Sequence, residues 1–485
     1  MSGAGDRLVN TVAEAGLLGA LMLDNTSIVG VSDRVKPDDF ADALHGRIYT
    51  AMLRFAAKKM RADAVTLRPL FASDGDARYG DYLDDLVEAP AVRGAVEGLA
   101  DQITDLAARR EVSLALEDAR RSIQDDLDTP IDAITGKVET AGWAAAKRKP
   151  VDVLYDSADF VGLVRKRGER IRENPDRAYL KNRLVPEFDE ILKLERGTYN
   201  LLAARPGMGK TSLVSSITHG YGMNGHAGIS FNHEMSAEQL AIRTTADLAH
   251  AMGMAIEHER LKLGELAKGG WQILDHVEKR AATLPIKFMT PGTVDVKRVY
   301  TLVAQHKAML EAEGRELEFV IVDYLGLLGA HSADGKPLTK GYDRVGMGSR
   351  MLKALAEDFN VALIALAQLS RSVEQRENKR PIMSDLRESG DLEQDADSAT
   401  FLYREEYYLE QRKPRPEERN KDGSSAYDDW EGEMFAARNK MDIIVAKNRH
   451  GSTGTRTCKF FPEFSACRSG TFDQYSVNED ETTLF

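Results

Sequence analysis

The sequence predicts an α/β domain built on a largely parallel sheet and preceded by a smaller all-α domain. Its 485 residues are too many for one compact core. Apolar residues recur at helical spacing through the first third of the chain, whereas short apolar runs alternate with amphipathic helices beyond residue 183. We therefore expect a helical domain at 1–146, a linker at 147–182, the α/β domain at 183–472 and an acidic tail at 473–485.

The composition is that of an ordinary globular protein, with 42% apolar and 29% charged residues. No apolar run approaches the length of a membrane span and residues 1–7 do not resemble a signal peptide, so we expect a cytoplasmic protein without a membrane partner. Cys458 and Cys467 fit a reducing compartment and lack the spacing of a zinc site. With a net charge of −12, any contact with nucleic acid must be local.

Four helical patterns are predicted before residue 147. Apolar stripes at 9–24 and 40–55 are followed by longer stripes at 103–123 and 130–146, which suggest a helical hairpin. This region has no catalytic constellation, so it is suited to partner contact or simply forms a packed bundle. The linker includes a basic run interrupted by Pro175 and carries one predicted helix at 157–171. That helix is either a solvated face or a docking helix for a neighbouring subunit.

Seven apolar, β-rich runs predict the strands of the second domain. They lie at 199–203, 228–232, 286–289, 319–322, 362–366, 400–403 and 443–446. Amphipathic helices separate most of them, which indicates a parallel sheet covered on both faces. Ligands of such sheets bind beyond the carboxyl ends of the strands.

The stretch TYNLLAARPGMGKTS at 198–212 predicts a phosphate-binding loop between a strand and a helix. Its backbone N–H groups and the positive end of the helix would hold a polyphosphate, with Lys210 on the β and γ phosphates and the Thr211 hydroxyl on Mg²⁺. Ala204 replaces the usual first glycine, and a chance loop is the alternative. The predicted nucleotide-binding residues are Arg205, Pro206, Gly207, Met208, Gly209, Lys210, Thr211 and Ser212.

Three further strands end in polar residues of catalytic type. Asp323 ends the run FVIVD and would hold Mg²⁺ through its water shell, although an aspartate after an apolar run is common. Glu234 follows the strand at 228–232 and would orient and deprotonate the attacking water. Gln368 would sense the γ-phosphate, or it is only a strand-end cap.

Two cations near the end of the domain complete the predicted catalytic set. Lys447 and Arg449 follow the strand at 443–446 and stand two residues apart, so both can point the same way. They suit charge stabilisation in phosphoryl transfer, within one chain or from a neighbouring copy. The sequence leaves both arrangements open.

The chain resembles the DnaB family of bacterial replicative DNA helicases. The resemblance covers most of the chain, more loosely in the helical N-terminal region, and SDLRESG followed by EQDAD is specific to that family. The similar segments, in the family's order, are ARPGMGKT, FNHEMSAEQL, DYLGL, SRMLKALAEDFNV, ALAQLSRSVEQR, MSDLRESGDLEQDADSATFLYR and AKNRHG.

The resemblance implies a RecA-like ATPase in a homohexameric ring that encircles single-stranded DNA, moves 5′ to 3′ and unwinds duplex at the replication fork. It implies that ATP and Mg²⁺ bind between subunits, with Lys210, Thr211, Glu234 and Asp323 in one subunit and Lys447 and Arg449 supplied by the next. A primase and a helicase loader are the expected partners of the N-terminal domain. A recombinase-like filament and a non-catalytic hub that gathers these partners are the alternatives.

The resemblance also implies a DNA-contacting loop with Arg387, Glu388 and Gly390 facing the central channel. A local ion pair on a surface loop is the plainer interpretation of Arg387 and Glu388. The loop at 329–344 would add Lys336, Lys340 and Arg344 to the same channel. Backbone contacts of this kind give little base preference.

Two segments depart from the family. Residues 409–438 are more than the family usually has there, which predicts a surface insertion of unknown use. The tail ends in NEDETTLF, and Asp480, Glu481 and Phe485 would recruit a replication partner. A frayed terminus without function is the alternative.

Overall fold

The computed structural model describes most of the chain. The described residues are 6–32, 34–72, 78–88, 96–126, 129, 131–146, 157–173, 178–266, 269–290, 295–323, 326 and 341–471. The chain divides into two compact units, Met1–Lys166 and Arg167–Phe485. This division falls inside the predicted linker, and the domain limits given above remain predictions. Lys336, Lys340 and the whole tail at 473–485 lie outside the described residues.

The first unit is helical throughout its described part. Its helices are α1 (Thr11–Leu23), α2 (Ser27–Ser32), α3 (Ala43–Ala57), α4 (Ala64–Ala72), α5 (Arg78–Glu88), α6 (Val96–Asp125) and α7 (Ile131–Ala146), followed by α8 (Ser157–Glu173), which carries the unit boundary. The core forms where apolar stripes of α1, α3 and α5 meet α6, around the fully buried Leu17, Leu21 and Met52. The helices α6 and α7 pack on each other, as the predicted hairpin requires.

A buried polar network joins three helices of this unit. The Glu14 carboxylate on α1 accepts hydrogen bonds from the backbone N–H groups of Ala41 (2.6 Å) and Asp42 (3.2 Å) and pairs with His45 Nδ1 at 2.8 Å. His45 Nε2 lies 2.7 Å from the Tyr82 hydroxyl on α5. Burial opposes ionisation of Glu14, but the His45 and backbone hydrogen bonds hold the pKa of Glu14 below its ordinary value. The network therefore fixes α3 and α5 against α1.

The second unit contains a sheet of nine strands in the order β3-β2-β4-β5-β1-β6-β7-β8-β9. The strands are β1 (Tyr199–Ala204), β2 (Ala227–Asn232), β3 (Ile286–Met289), β4 (Leu317–Asp323), β5 (Ala362–Gln368), β6 (Ser398–Tyr403), β7 (Lys440–Asn448), β8 (Gly454–Phe461) and β9 (Ala466–Arg468). The first six pair in parallel and β7, β8 and β9 are antiparallel. The largely parallel sheet predicted from the sequence is confirmed, and β8 and β9 are additional.

Helices separate most of the parallel strands and cover the sheet. They are α9 (Pro186–Ile191), α10 (Lys210–Met223), α11 (Ala237–Ala251), α12 (His258–Leu263), α13 (Gly270–Thr283), α14 (Val296–Ala312), α15 (Gly341–Phe359), α16 (Gly390–Asp395), α17 (Glu405–Gln411) and α18 (Ala426–Ala437). Every residue of β1, β2, β4 and β6 is buried, as expected for strands that are covered on both faces. The apolar core of this unit therefore lies on both faces of the sheet, and it fixes the positions of the strand ends.

The predicted insertion at 409–438, between β6 and β7, is folded and contains α18. The Trp430 indole on α18 donates to the Leu409 carbonyl at 2.8 Å, and the Lys413 ammonium lies 5.2 Å from the centre of the same ring. Phe435 on the opposite face of α18 is 83% exposed. The structure thus gives the predicted insertion a fixed conformation, while its use stays open.

Among the described helices, none combines the length and the apolar character that a bilayer span requires.

We expect Glu14→Ala to destabilise the first unit by about 3 kcal/mol, because it leaves two backbone N–H groups and His45 without their acceptor inside the core. Hydrogen exchange of α1 and α3 in the full chain should accelerate about a hundredfold. In the unmutated chain, the Glu14 contribution is fully present above the ordinary glutamate pKa of 4.5 and is lost as the pH falls through the lowered pKa of the folded state. The exposed Glu97 on α6 is the matched control, and equal acceleration in Glu97→Ala would contradict the role of the network.

Candidate active site

A cavity of about 560 Å³ lies at the carboxyl ends of the parallel strands. Nine of the predicted residues line it, namely Arg205, Pro206, Gly207, Gly209, Lys210, Thr211, Ser212, Glu234 and Gln368. Met208 is the exception in the loop, because its side chain is buried in the core of the sheet. The cavity thus gathers residues from three strand ends and from the start of α10, a place where anions bind readily.

The loop after β1 owes its shape to two glycines. Gly207 and Gly209 have φ angles of +84° and +85°, a conformation that residues with a Cβ adopt at a cost. A Cβ at Gly209 would lie 2.6 Å from the Met441 side chain, so space is lacking as well. Ala204, where the usual pattern has glycine, is the last residue of β1 and has no positive φ. The departure at Ala204 therefore leaves the loop intact.

The centre of the site is an ion pair between Lys210 and a buried aspartate. Lys210 Nζ lies 3.5 Å from Asp323 Oδ1, and Asp323 is 1% exposed. Asn232 donates to Asp323 Oδ2 at 3.1 Å, whereas Oδ1 accepts no hydrogen bond within the described residues. Burial is the main cause that raises the pKa of Asp323, and Glu234 raises it further against the opposing effect of Lys210. An added cation at this carboxylate would therefore be favoured.

Glu234 is held by the connection between β2 and α11. The N–H of His233 donates to the Asp323 carbonyl at 2.6 Å, and the Asn232 side chain accepts from the N–H of Met235 at 3.0 Å. A capping box between Ser236 and Gln239 then starts α11. Glu234 itself is exposed on the cavity wall, where a carboxylate can reach a bound water.

Arg205 has partners in its own chain, although it also lines the cavity. Its Nε donates to Glu374 at 3.0 Å and its Nη1 donates to the Leu369 carbonyl at 2.9 Å. Gln368 immediately precedes Leu369 and is exposed at the end of β5. The structure therefore connects the phosphate loop directly to the strand end that carries Gln368.

The cavity lining also includes residues without a predicted role, among them Arg243, Arg404 and Phe460. The Arg404 guanidinium lies 4.2 Å from the centre of the Phe460 ring and donates to the Gly207 carbonyl at 3.2 Å. Arg404 directly follows β6, so the rule that identified Asp323 and Gln368 could have found it. Phe460 lies on the unpredicted β8, and no local signal marks it.

Lys447 and Arg449 do not line the cavity. Because β7 runs antiparallel to β6, Lys447 pairs with Ala399 and so lies near the amino ends of the parallel strands. Lys447 Nζ donates to the carbonyls of Glu393 and Ala396, the latter at 2.7 Å, and Arg449 pairs with Asp397 at 3.2 Å. The interpretation that these cations serve their own chain's phosphate loop is therefore wrong.

The segment expected to be a DNA-contacting loop is helical in the structure. Residues Met383–Ser389 form a 3-10 helix that continues into α16, so Arg387, Glu388 and Gly390 lie on helical backbone. The Asp385 carboxylate explains this difference, because it accepts from the N–H of Ile382 at 2.8 Å and fixes the first turn. The side chains at 387–390 lie outside the described part of the structure. Arg344 on α15 donates to the Gly326 carbonyl at 2.9 Å.

A fully buried ionic network supports the two helices that follow the site. Arg468 on β9 pairs with Asp247 of α11 at 2.7 Å, and Asp247 also accepts from Ser216 and from His219 Nδ1 on α10, both at 2.6 Å. Burial opposes ionisation of Asp247, but Arg468 and His219 hold the pKa of Asp247 below its ordinary value. The network keeps α10, which begins at Lys210, fixed against α11, which follows Glu234.

Comparison with known proteins identifies the family. A model of the DnaB-like helicase C terminal domain matches residues 185–469, and one of the DnaB-like helicase N terminal domain matches residues 7–105. The chain belongs to the DnaB-like helicase family. The family predicted from the sequence is confirmed, together with the fold class and an activity as an ATP-dependent DNA helicase of replication.

The similar proteins cover nearly the whole chain. The replicative DNA helicase DnaB of Geobacillus stearothermophilus is 30% identical over 465 residues, which are 93% of each chain. That of Helicobacter pylori is 26% identical and covers 96% of this chain and 95% of its own. A solved DnaB-like replicative helicase, described with its interactions with primase, has a TM-score of 0.61 at 24% identity and covers 95% of this chain and 100% of its own. A second solved structure, that of an ATPase domain, has a TM-score of 0.53 at 27% identity and covers 65% of this chain and 99% of its own.

We expect Arg404→Ala to raise the KM for ATP about tenfold, because the cavity loses a cation and the Gly207 carbonyl loses its donor. Steady-state ATPase assays at varied ATP concentration provide the measurement. Arg412→Ala is the matched control, since Arg412 is an exposed arginine that is paired with Glu405. A KM for ATP that is unchanged in Arg404→Ala would contradict the role of Arg404.

Proposed function

We propose that six copies of this chain form a ring that hydrolyses ATP between neighbouring subunits and moves 5′ to 3′ along single-stranded DNA. The observation that carries the proposal is the division of the predicted catalytic residues between two edges of one sheet. Lys210, Glu234 and Gln368 line the cavity at one edge, while Lys447 and Arg449 lie towards the other. This division supports a site that two neighbouring copies complete together.

In this proposal the cavity holds the triphosphate of ATP on the backbone of the 205–212 loop. Lys210 contacts the β and γ phosphates, and Thr211 and Asp323 hold Mg²⁺. The donor set fits this ion, because Asp323 offers a buried carboxylate oxygen, Oδ1, that accepts no hydrogen bond within the described residues, and Mg²⁺ is commonly held by one or two carboxylates, water and phosphates. When bound, Mg²⁺ neutralises charge on the phosphates.

Hydrolysis needs a base, a sensor and a further positive charge. Glu234 is exposed to the cavity and would orient the attacking water and accept its proton. Gln368 would contact the γ-phosphate from the end of β5. Lys447 and Arg449 of the adjacent copy would stabilise the negative charge of the transition state. The pKa of Lys447 is lowered by burial and, to a smaller extent, by the positive charge of Arg449. An incoming phosphate would relieve the repulsion between these two cations.

DNA would contact the 383–395 segment through Arg387, Glu388 and Gly390, with Lys336, Lys340 and Arg344 adding positive charge to the channel. These contacts are local, which agrees with a protein of net charge −12. A primase or a loader would bind the N-terminal unit, and the interactions with primase that are described for a similar helicase support the choice of primase as a partner. Asp480, Glu481 and Phe485 would serve a further replication partner, and the compartment would be the cytoplasm.

Lys210→Ala should abolish ATP hydrolysis and unwinding, because the loop loses the ammonium group that it directs at the β and γ phosphates. Wild type should separate a forked DNA duplex that bears a free 5′ strand, and the variant should not. The exposed Lys279→Ala on α13 is the control and should retain both activities. Unwinding by Lys210→Ala, or wild-type unwinding that requires only a 3′ strand, would refute the proposal.

The division of the site between copies predicts complementation. Lys210→Ala and Arg449→Ala chains should each lack ATPase activity, whereas a random mixture should recover roughly one quarter of the wild-type rate, since one interface in four pairs an intact loop with an intact arginine. ATPase rate and native mass are measured on the same mixed assemblies. No recovery in mixtures that have a hexameric mass would refute the contribution of the neighbouring subunit.

A further inference from the structure

A short 3-10 helix at Arg371–Gln375 follows β5, and this helix and the residues that flank it contact both functional parts of the second unit. On one side it meets the phosphate loop, and on the other it meets the 383–395 segment. We call residues 369–376 the bracket.

The contacts on the nucleotide side start at the loop itself. Arg205 Nε donates to Glu374 at 3.0 Å, and Arg205 Nη1 donates to the Leu369 carbonyl at 2.9 Å. The N–H of Leu369 donates to the Ala204 carbonyl at 3.2 Å. The Tyr408 hydroxyl also lies 3.3 Å from Glu374. Leu369 and Glu374 of the bracket are therefore fixed to Ala204 and Arg205, the residues that open the loop.

The contacts on the other side converge on one buried carboxylate. Arg376 donates to both oxygens of Asp385, at 3.0 and 2.9 Å, and Asp385 is 3% exposed. The Asp385 carbonyl in turn accepts from the N–H of Ser370 at 3.0 Å. Asp385 lies two residues before Arg387. The first turn of the 383–395 segment is thus anchored to a residue two positions after Gln368.

The geometry makes this anchor stiff. A forked arginine–carboxylate pair constrains both groups in orientation as well as distance, and a shielded pair loses more when broken than an exposed one. Two further donors of Arg376 are also used, since Nε and Nη2 donate to the carbonyls of Asn378 (3.3 Å) and Arg380 (2.9 Å). A displacement of the segment at Asp385 would therefore be transmitted to the bracket.

We propose that Arg376 and Asp385 are positioning residues that couple DNA contact at the 383–395 segment to ATP hydrolysis in the cavity. The inference rests on the proposed function, in which that segment contacts DNA and the 205–212 loop holds ATP. DNA that shifts the segment moves Asp385, Ser370 and then the strand end that carries Gln368. Coupling of this kind acts in both directions, so ATP also changes the affinity for DNA.

The test compares ATPase rates of the full chain with and without a single-stranded oligonucleotide. Arg376→Gln should keep the basal rate and the KM for ATP within about twofold of wild type, yet lower the stimulation of kcat by DNA about tenfold. In a separate binding measurement, the ratio of oligonucleotide Kd values with an ATP analogue and with ADP should also shrink, by about tenfold, which corresponds to about 1.4 kcal/mol of coupling free energy. A purely structural role would not separate these readouts.

Two further variants keep the test decisive if Arg376→Gln folds poorly. Asp385→Asn retains the shape of the side chain and should show the same loss, and the double variant should lose no more than either single one. Arg376→Lys retains the charge without the fork and should give an intermediate stimulation. The control is Arg380→Gln, because Arg380 pairs with Asp442 on β7 and stacks on Tyr403 but does not bind Asp385.

Stimulation that is unchanged in Arg376→Gln and Asp385→Asn would overturn the inference, as would an equal loss of basal and stimulated rates or an equal loss in Arg380→Gln. These outcomes leave the proposed function standing, since wild type would still be stimulated by DNA. If the ATPase rate of the wild-type chain is the same with and without the oligonucleotide, the proposed function and the inference are both refuted.

Discussion

The parallel direction of five adjacent strands is the constraint on which the rest of the structure depends. It brings five residues to one edge of the sheet, although they are spread over almost 200 positions of the chain. They are Lys210, at the end of the phosphate loop, and Glu234, Asp323, Gln368 and Arg404. The last four of them stand at or just after a buried strand, and the loop that ends at Lys210 follows another, so the apolar core fixes their positions. The charged side chains orient one another, because Asp323 pairs with Lys210 and Arg404 donates to the Gly207 carbonyl of the loop.

Much of this arrangement could be predicted from the sequence because buried parallel strands are continuous apolar runs. The runs at 199–203 and 319–322 are recognisable by composition alone, and a polar residue at their end is conspicuous. β8 was missed because its first four residues are exposed and its pattern mixes threonine, lysine and aromatic side chains. Phe460 on that strand lines the cavity and could not be predicted either, since nothing near it in the chain marks a ligand site.

Other features could not be predicted because they depend on distant partners. The spacing of Lys447 and Arg449 predicts that the two side chains lie on the same side of the strand. Which end of the sheet they occupy follows only from the antiparallel pairing of β7 with β6. The stretch around Asp385 has the composition of a loop, yet the arginine nine residues earlier and the N–H of Ile382 stabilise helical turns there. Met208 belongs to a binding motif, but its side chain supplies core packing. In each case a tertiary contact overrode the local preference.

Ala204 shows which parts of such a loop can vary between proteins. Its methyl group is buried at the end of a strand, in ordinary extended backbone, so a residue slightly larger than glycine is accommodated without disturbing the turn that follows. The two later glycines have no such tolerance, because both their backbone angles and their surroundings exclude a side chain. A search for related sequences that insists on glycine at the first position would therefore discard chains whose loops have the same backbone conformation.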